Sequence, residues 1–199
     1  MADLTQELFW KLNREQPRFP SGRVLFGQGG LTDSEIRSIE DQLEMALPPD
    51  FKFLLENLKD PGGVFFPWAD FSLNLYRELI EWVWDGIAFD IGHGLWLDRW
   101  GERPSEETEA KHNARLDFES WPVLLPIFGH RFLPATPCRS GNPVFSIKQT
   151  DIIYYGANLA DYLLNELTGS RPLVEEQTPI RKIDVWSDFA EGRLGWWRE

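Results

Sequence analysis

The chain has little of what most catalytic and targeting signals need. It holds one cysteine, Cys138, so it cannot form an internal disulfide or build a cysteine zinc site. It holds three histidines, His93, His112 and His130, and none stands at the spacing of a helical two-histidine metal site. No glycine-rich phosphate loop, nucleophile elbow or paired-cysteine motif is present, so no metal and no cofactor is expected. There is no apolar run long enough to span a bilayer. The opening, MADLTQELFWKLNREQ, lacks a basic start and an apolar core, so no signal peptide is expected. A reducing cytoplasm is the expected location.

Positive charge is also scarce. Lys and Arg number 20 against 32 Asp and Glu, giving a formal net charge of -12. That balance argues against nucleic acid and anionic membranes, both of which attract basic patches. It favours a basic protein partner, although acidity alone also serves solubility. Aromatics are abundant, with 10 Trp and 14 Phe, and they suit cores and interfaces alike.

The clearest pattern is Gly129 to Gly156, GHRFLPATPCRSGNPVFSIKQTDIIYYG. Arg131 to Leu133 reads as a short strand, ended by Pro134, which has no N–H for a ladder. Ala135 to Pro143 is a proline-rich loop. Val144 to Ile147 and Ile152 to Tyr155 are strands of β-branched and aromatic residues. Gly156 breaks the last strand, and a helix follows over Leu159 to Leu167, with Asn158 as its cap and Gly169 as its stop. This is an antiparallel meander closed by a helix.

Upstream, Leu4 to Asn13 reads as an amphipathic helix. Thr32-Asp-Ser-Glu35 is a capping box, with Ile36, Ile39 and Leu43 on one face of its helix. Pro48 and Pro49 open another helix, carrying Phe51, Leu54, Leu55 and Leu58. Val64 to Trp68 reads as a strand. Phe71 to Trp84 reads as a helix with Leu75, Leu79, Trp82 and Val83 inward. Ile87 to Ile91 and Leu95 to Leu97 read as a hairpin about Gly92-His93-Gly94. Arg103 to Ser120 is a solvated helix, and Val123 to Ile127 is a central strand by its unbroken apolar run. Ser170 to Thr178 reads as a linker. Asp184 then caps a short helix with Trp186 and Phe189, and Trp196 and Trp197 are expected to dock on the domain.

Three blocks resemble the SUKH superfamily in its Smi/Knr-like branch, named after fungal cell-wall synthesis regulators. They are LTDSEIRSIEDQLEMALPPDFKFLLENL, FDIGHGLWLDRWG and GHRFLPATPCRSGNPVFSIKQTDIIYYGANLADYL. The resemblance covers roughly residues 31 to 168. It implies an α+β fold, a single SUKH-like domain over 1 to 199 with helices beside a mixed, mostly antiparallel, curved sheet. Residues 1 to 27 and 170 to 199 are extensions outside the pattern. Bacterial relatives are implied to be immunity proteins that neutralise toxin domains, and fungal ones regulators of glucan synthesis. No shared catalytic motif comes with the family, so the chain is expected to be a protein-binding domain and not an enzyme.

Candidate partner-facing residues follow from position. Asp70, Asp90, Asp98, Asn142 and Asp151 lie at expected strand ends and loops, where they either receive a basic ligand or cap turns. Trp96, Asp98 and Trp100 would share one strand face, either core or aromatic groove. His93 between its glycines and Arg131 beside His130 complete the set. The leading expectation is occlusion of a basic toxin domain by a concave sheet face ringed by these carboxylates and aromatics. The alternatives are a regulatory scaffold and, below it, a small hydrolase using Asp90 and His93.

Overall fold

The computed structural model describes residues 4–16, 24–27, 29–169 and 179–194. The fold is α+β, with two antiparallel sheets among its helices. Helix α1 spans Gln6–Glu15 and strand β1 Leu25–Phe26. Helices α2 and α3 span Asp33–Leu43 and Pro49–Asn57, and strand β2, Leu58–Lys59, pairs with β1. The long helix α4 runs Leu73–Gly92, and α5 runs Glu107–Phe118. Strands β3 (Leu124–Phe128), β4 (Arg131–Pro134), β5 (Val144–Lys148) and β6 (Asp151–Gly156) form a meander in chain order. Helices α6, Leu159–Thr168, and α7, Trp186–Ala190, follow.

The meander lies between two hydrophobic clusters, because successive strand side chains point to opposite faces. Leu125 and Leu133 are register partners and belong to one cluster, with Phe51, Leu54, Tyr162 and Leu163 of α3 and α6. Phe132 and Phe145 are also register partners and belong to the other, with Val83, Ile87, Phe118 and Trp186 of α4, α5 and α7. Both faces are covered, which explains why β3 reads as continuous apolar sequence and which overturns the expected concave sheet face as a partner surface.

Local signals set the helix ends. Thr32 accepts the N–H of Glu35 at 3.4 Å, and Glu35 accepts the N–H of Thr32 at 2.7 Å, completing the capping box. In the corner before α3, Glu40 accepts the N–H of Leu47 at 2.7 Å and pairs with Lys52 at 2.6 Å. Asn158 caps α6 by accepting the N–H of Asp161.

Three expectations are corrected. Val64 to Trp68 is not a strand. Phe66 donates one N–H to Ile127 of β3, Pro67 has none to give, and the chain turns into a 3₁₀ turn at Trp68–Asp70. The hairpin about His93 does not exist either. Helix α4 continues through Ile87 to Gly92, and a loop then leads to a 3₁₀ turn at Asp98–Trp100. The side chain of Asp184 does not cap α7, whose N-cap position is Val185. The Ser170 to Thr178 linker, Trp196 and Trp197 lie outside the described residues. Among the described residues no helix is long and apolar enough to cross a membrane.

Candidate functional site

Helix α4 positions the candidate site. Ser72 caps it by accepting the N–H of Leu75, and the N–H of His93 closes the other end on the carbonyls of Phe89 and Asp90. Its inner face carries Tyr76, Val83, Trp84, Ile87 and Ile91, all buried. Gly86 lets the helix lie directly on the β5–β6 turn. A Cβ there would come within 2.9 Å of the Gln149 Cα.

With that face inward, the opposite face is exposed. Leu75, Trp82 and Phe89 are 37%, 46% and 51% accessible. They stand seven residues apart, so they form one line along the helix. At 1.5 Å per residue the line is about 21 Å long. Glu78 and Asp85 fall between them on the same line, and both are exposed. Glu81 lies alongside and binds Arg115 of α5 at 2.9 Å. The sequence reading placed Leu75 and Trp82 inward, and the structure places them outward. Cut at Trp84, the helix gives no way to tell its two stripes apart. Extended to Gly92, the stripe from Tyr76 to Ile91 is the richer one and takes the core.

The line ends in a cluster of candidates. The His93 ring stacks on Phe89 with centroids 4.1 Å apart, and its Nδ1 lies 2.8 Å from the Phe89 carbonyl oxygen. Trp96 and Trp100 meet edge to face at 5.0 Å. They are not on a strand, so the expected shared face with Asp98 is not formed that way. Each indole is half-buried and held by its N–H. Trp96 donates to the Gly101 carbonyl at 2.8 Å, and Trp100 to Asp117 at 2.9 Å. Asp117 also accepts the Trp121 N–H at 2.8 Å and pairs with Arg99 at 3.0 Å. This organising carboxylate was missed in the sequence, because nothing local marks Asp117 as the shared partner of Trp121, four residues on, and Trp100, 17 residues back. Arg103 donates to the Ile91 carbonyl and lies 5.9 Å from the Trp96 ring centre. Asp98 is exposed at the start of its 3₁₀ turn.

The remaining candidates do other work. Asp90 is buried, at 7% exposure, and accepts both the N–H and the hydroxyl of Thr150, at 3.0 and 2.5 Å. Its carboxylate faces the sheet turn, so it cannot meet a partner. With Asp90 bonded to Thr150 and His93 to Phe89, the two form no hydrogen-bonded acid–base pair. Asn142 is fully buried and also unavailable. It donates to the carbonyls of Pro134 and Pro137, and accepts from Arg181 at 2.7 Å.

Arg131 belongs to a separate network. It donates to Ser146 at 2.9 Å, lies 3.6 Å over the Tyr155 ring and approaches Glu166 at 3.5 Å. Burial raises the Glu166 carboxyl above its usual range, with Arg131 opposing the rise. Burial also pushes the Tyr162 phenol well up. Asp70 is exposed just before α4, and Asp151 is exposed beside Thr150. The structure therefore gathers His93, Trp96, Asp98 and Trp100 near the end of α4, with Asp90 beneath, and leaves Arg131 and Asn142 elsewhere.

Helix α5, read as solvated, buries Ala110, Ala114 and Phe118 against α4. Its Glu107 stands near the end of α4, where a Cβ on Gly92 would lie 3.1 Å from a Glu107 oxygen. Among the described residues no group of three or more His, Cys, Asp or Glu gathers as metal ligands would. Comparison with family models, curated proteins and solved structures finds no match.

Proposed function

We propose that the chain is a protein-binding module of SUKH type. It acts as an immunity protein that covers a basic surface on a toxin domain with the outer face of α4. One observation carries this reading. Leu75, Trp82 and Phe89 form an exposed apolar line interleaved with Glu78 and Asp85, beside the Trp96 and Trp100 pair. Large exposed apolar side chains set in a row are costly in water, and a partner that covers them removes that cost. Aromatics are the usual anchors of protein interfaces. The interleaved carboxylates select a basic partner and speed its approach, while the apolar line supplies affinity.

The mechanism is occlusion, so no bond is made or broken. The experiment is an NMR titration of the ¹⁵N-labelled chain with the purified product of the gene beside its own. The reading expects saturable changes at the Trp82 indole N–H and the amides of residues 75 to 93. Saturable binding that leaves all of these unmoved would reject the α4 face, and absence of binding would reject the immunity assignment.

A further inference from the structure

The spacing along the outer line of α4 selects the shape of what covers it. Leu75, Trp82 and Phe89 recur every seven residues, so they stand about 10.5 Å apart along the helix. On a strand, side chains of one face recur about every 6.7 Å, so an added strand would fall out of step after one contact. A helix whose apolar residues repeat every seven keeps step along the whole line. The line also drifts by about 20° around α4 in each step of seven, which a neighbouring helix crossing at about 20° follows.

The two sides of the line differ in charge. On one, the β5–β6 turn rests on Gly86. Its exposed charges, Lys148 and Asp151, are register partners of opposite sign. On the other stand Glu78 and Asp85, both exposed. Glu81 is joined to Arg115 at 2.9 Å, whereas Glu78 and Asp85 have no ion-pair or hydrogen-bond partner among the described residues. The one basic residue of α4, Arg77, lies about 140° around the helix from Trp82. The open side of the line is therefore acidic, and its carboxylates are not already paired.

Each step of seven also frames a socket of the kind that receives one side chain from a facing helix. Leu75, Glu78, Leu79 and Trp82 frame the first, and Trp82, Asp85, Gly86 and Phe89 the second. Both combine apolar walls with one carboxylate, which suits an apolar side chain flanked by Lys or Arg. A second copy of the chain does not fit. Two α4 faces paired antiparallel about Trp82 would bring Glu78 of each copy near Asp85 of the other, on chains of net charge -12. We propose, building on α4 as the binding face, that its occupant is a basic amphipathic helix of the partner protein. That helix lies along α4 with apolar residues at heptad spacing and Lys or Arg against Glu78 and Asp85.

The test is an NMR titration of the ¹⁵N-labelled full chain with three synthetic peptides, each about three heptads long. The first has leucine at the first and fourth places of every heptad, with lysine and alanine elsewhere. The second holds the same residues reordered so that apolar residues and lysine alternate, the pattern of a strand. The third is the first with glutamate in place of lysine. Saturable shifts are expected at the Trp82 indole N–H and the amides of residues 75 to 93, with the first peptide bound about tenfold more tightly than either other. Trp82→Ala, at an exposed position, should weaken that binding by about tenfold or more. Glu78→Lys combined with Asp85→Lys should turn the preference toward the glutamate peptide. Equal affinity for the first peptide and either other, or no saturable shift on α4, would overturn the proposal. Shifts on α4 when the free chain is diluted would assign the face to a second copy and overturn it too. A protein partner that moves α4 while the first peptide does not would overturn the helix alone, whereas a partner that leaves α4 unmoved rejects the face itself.

Discussion

Asp90 in the last turn of α4 accepts both the N–H and the hydroxyl of Thr150, which lies 60 residues later in the β5–β6 turn. This contact ties the helix to the sheet and fixes which of its faces looks outward. Removing it should cost stability as well as alignment. Asp90→Ala leaves the buried Thr150 groups without an acceptor, and such losses run to about 1–3 kcal/mol each. Urea unfolding should show a lower midpoint for Asp90→Ala, and a smaller loss for Thr150→Val, which keeps the backbone bond. Wild-type stability in Asp90→Ala would show that the contact is not made.

Gly86 is expected to resist the usual helix-strengthening change. In an exposed helix interior Gly→Ala gains up to about 1 kcal/mol. Here the added methyl would press on the Gln149 backbone at 2.9 Å, and overpacking of that kind typically costs about 1–3 kcal/mol. Gly86→Ala should therefore lower the melting temperature, and a raised one would mean that α4 does not rest on the turn.

Glu166 predicts a pH dependence of known sign. Its folded carboxyl is raised above the usual 4.5 by burial, against the pull of Arg131. The folded state holds that proton more tightly than the unfolded one. Its contribution is fully present below the usual value and is lost as pH rises through the raised one. Glu166→Gln stays neutral throughout. The stability of wild type relative to Glu166→Gln should fall between about pH 4 and the raised folded value, then level off. Urea midpoints of both proteins at pH 4, 5, 6 and 7 measure this. A relative stability that rises over that interval would mean that Arg131 outweighs burial.

Much of the fold was legible because the sheet and capping signals are local. The meander, its closing helix and the Thr32 capping box need only neighbouring residues to be read. Helix α4 was not legible, since its decisive features are tertiary. Gly86 looks like a breaker until the Gln149 backbone is seen against it. Gly92-His93-Gly94 looks like a hairpin turn, yet it is where the helix ends and Arg103 and Glu107 pack. The site was half legible for the same reason. The aromatic and acidic composition about residues 90 to 100 was visible. The burial of Asp90 and Asn142 was not, because each is set by partners far along the chain.

The central claim is that the outer line of α4 is the binding surface, and Trp10 supplies the control. It is the more exposed tryptophan, at 65% against 46% for Trp82, and it sits on α1. Isothermal titration of the partner into Trp82→Ala and Trp10→Ala decides between a specific surface and general stickiness. Loss of a central anchor typically costs ~2 kcal/mol or more, which is about thirtyfold in affinity. The account predicts at least that loss for Trp82→Ala and less than about threefold for Trp10→Ala. Equal losses in the two variants, or a loss confined to Trp10→Ala, would contradict it.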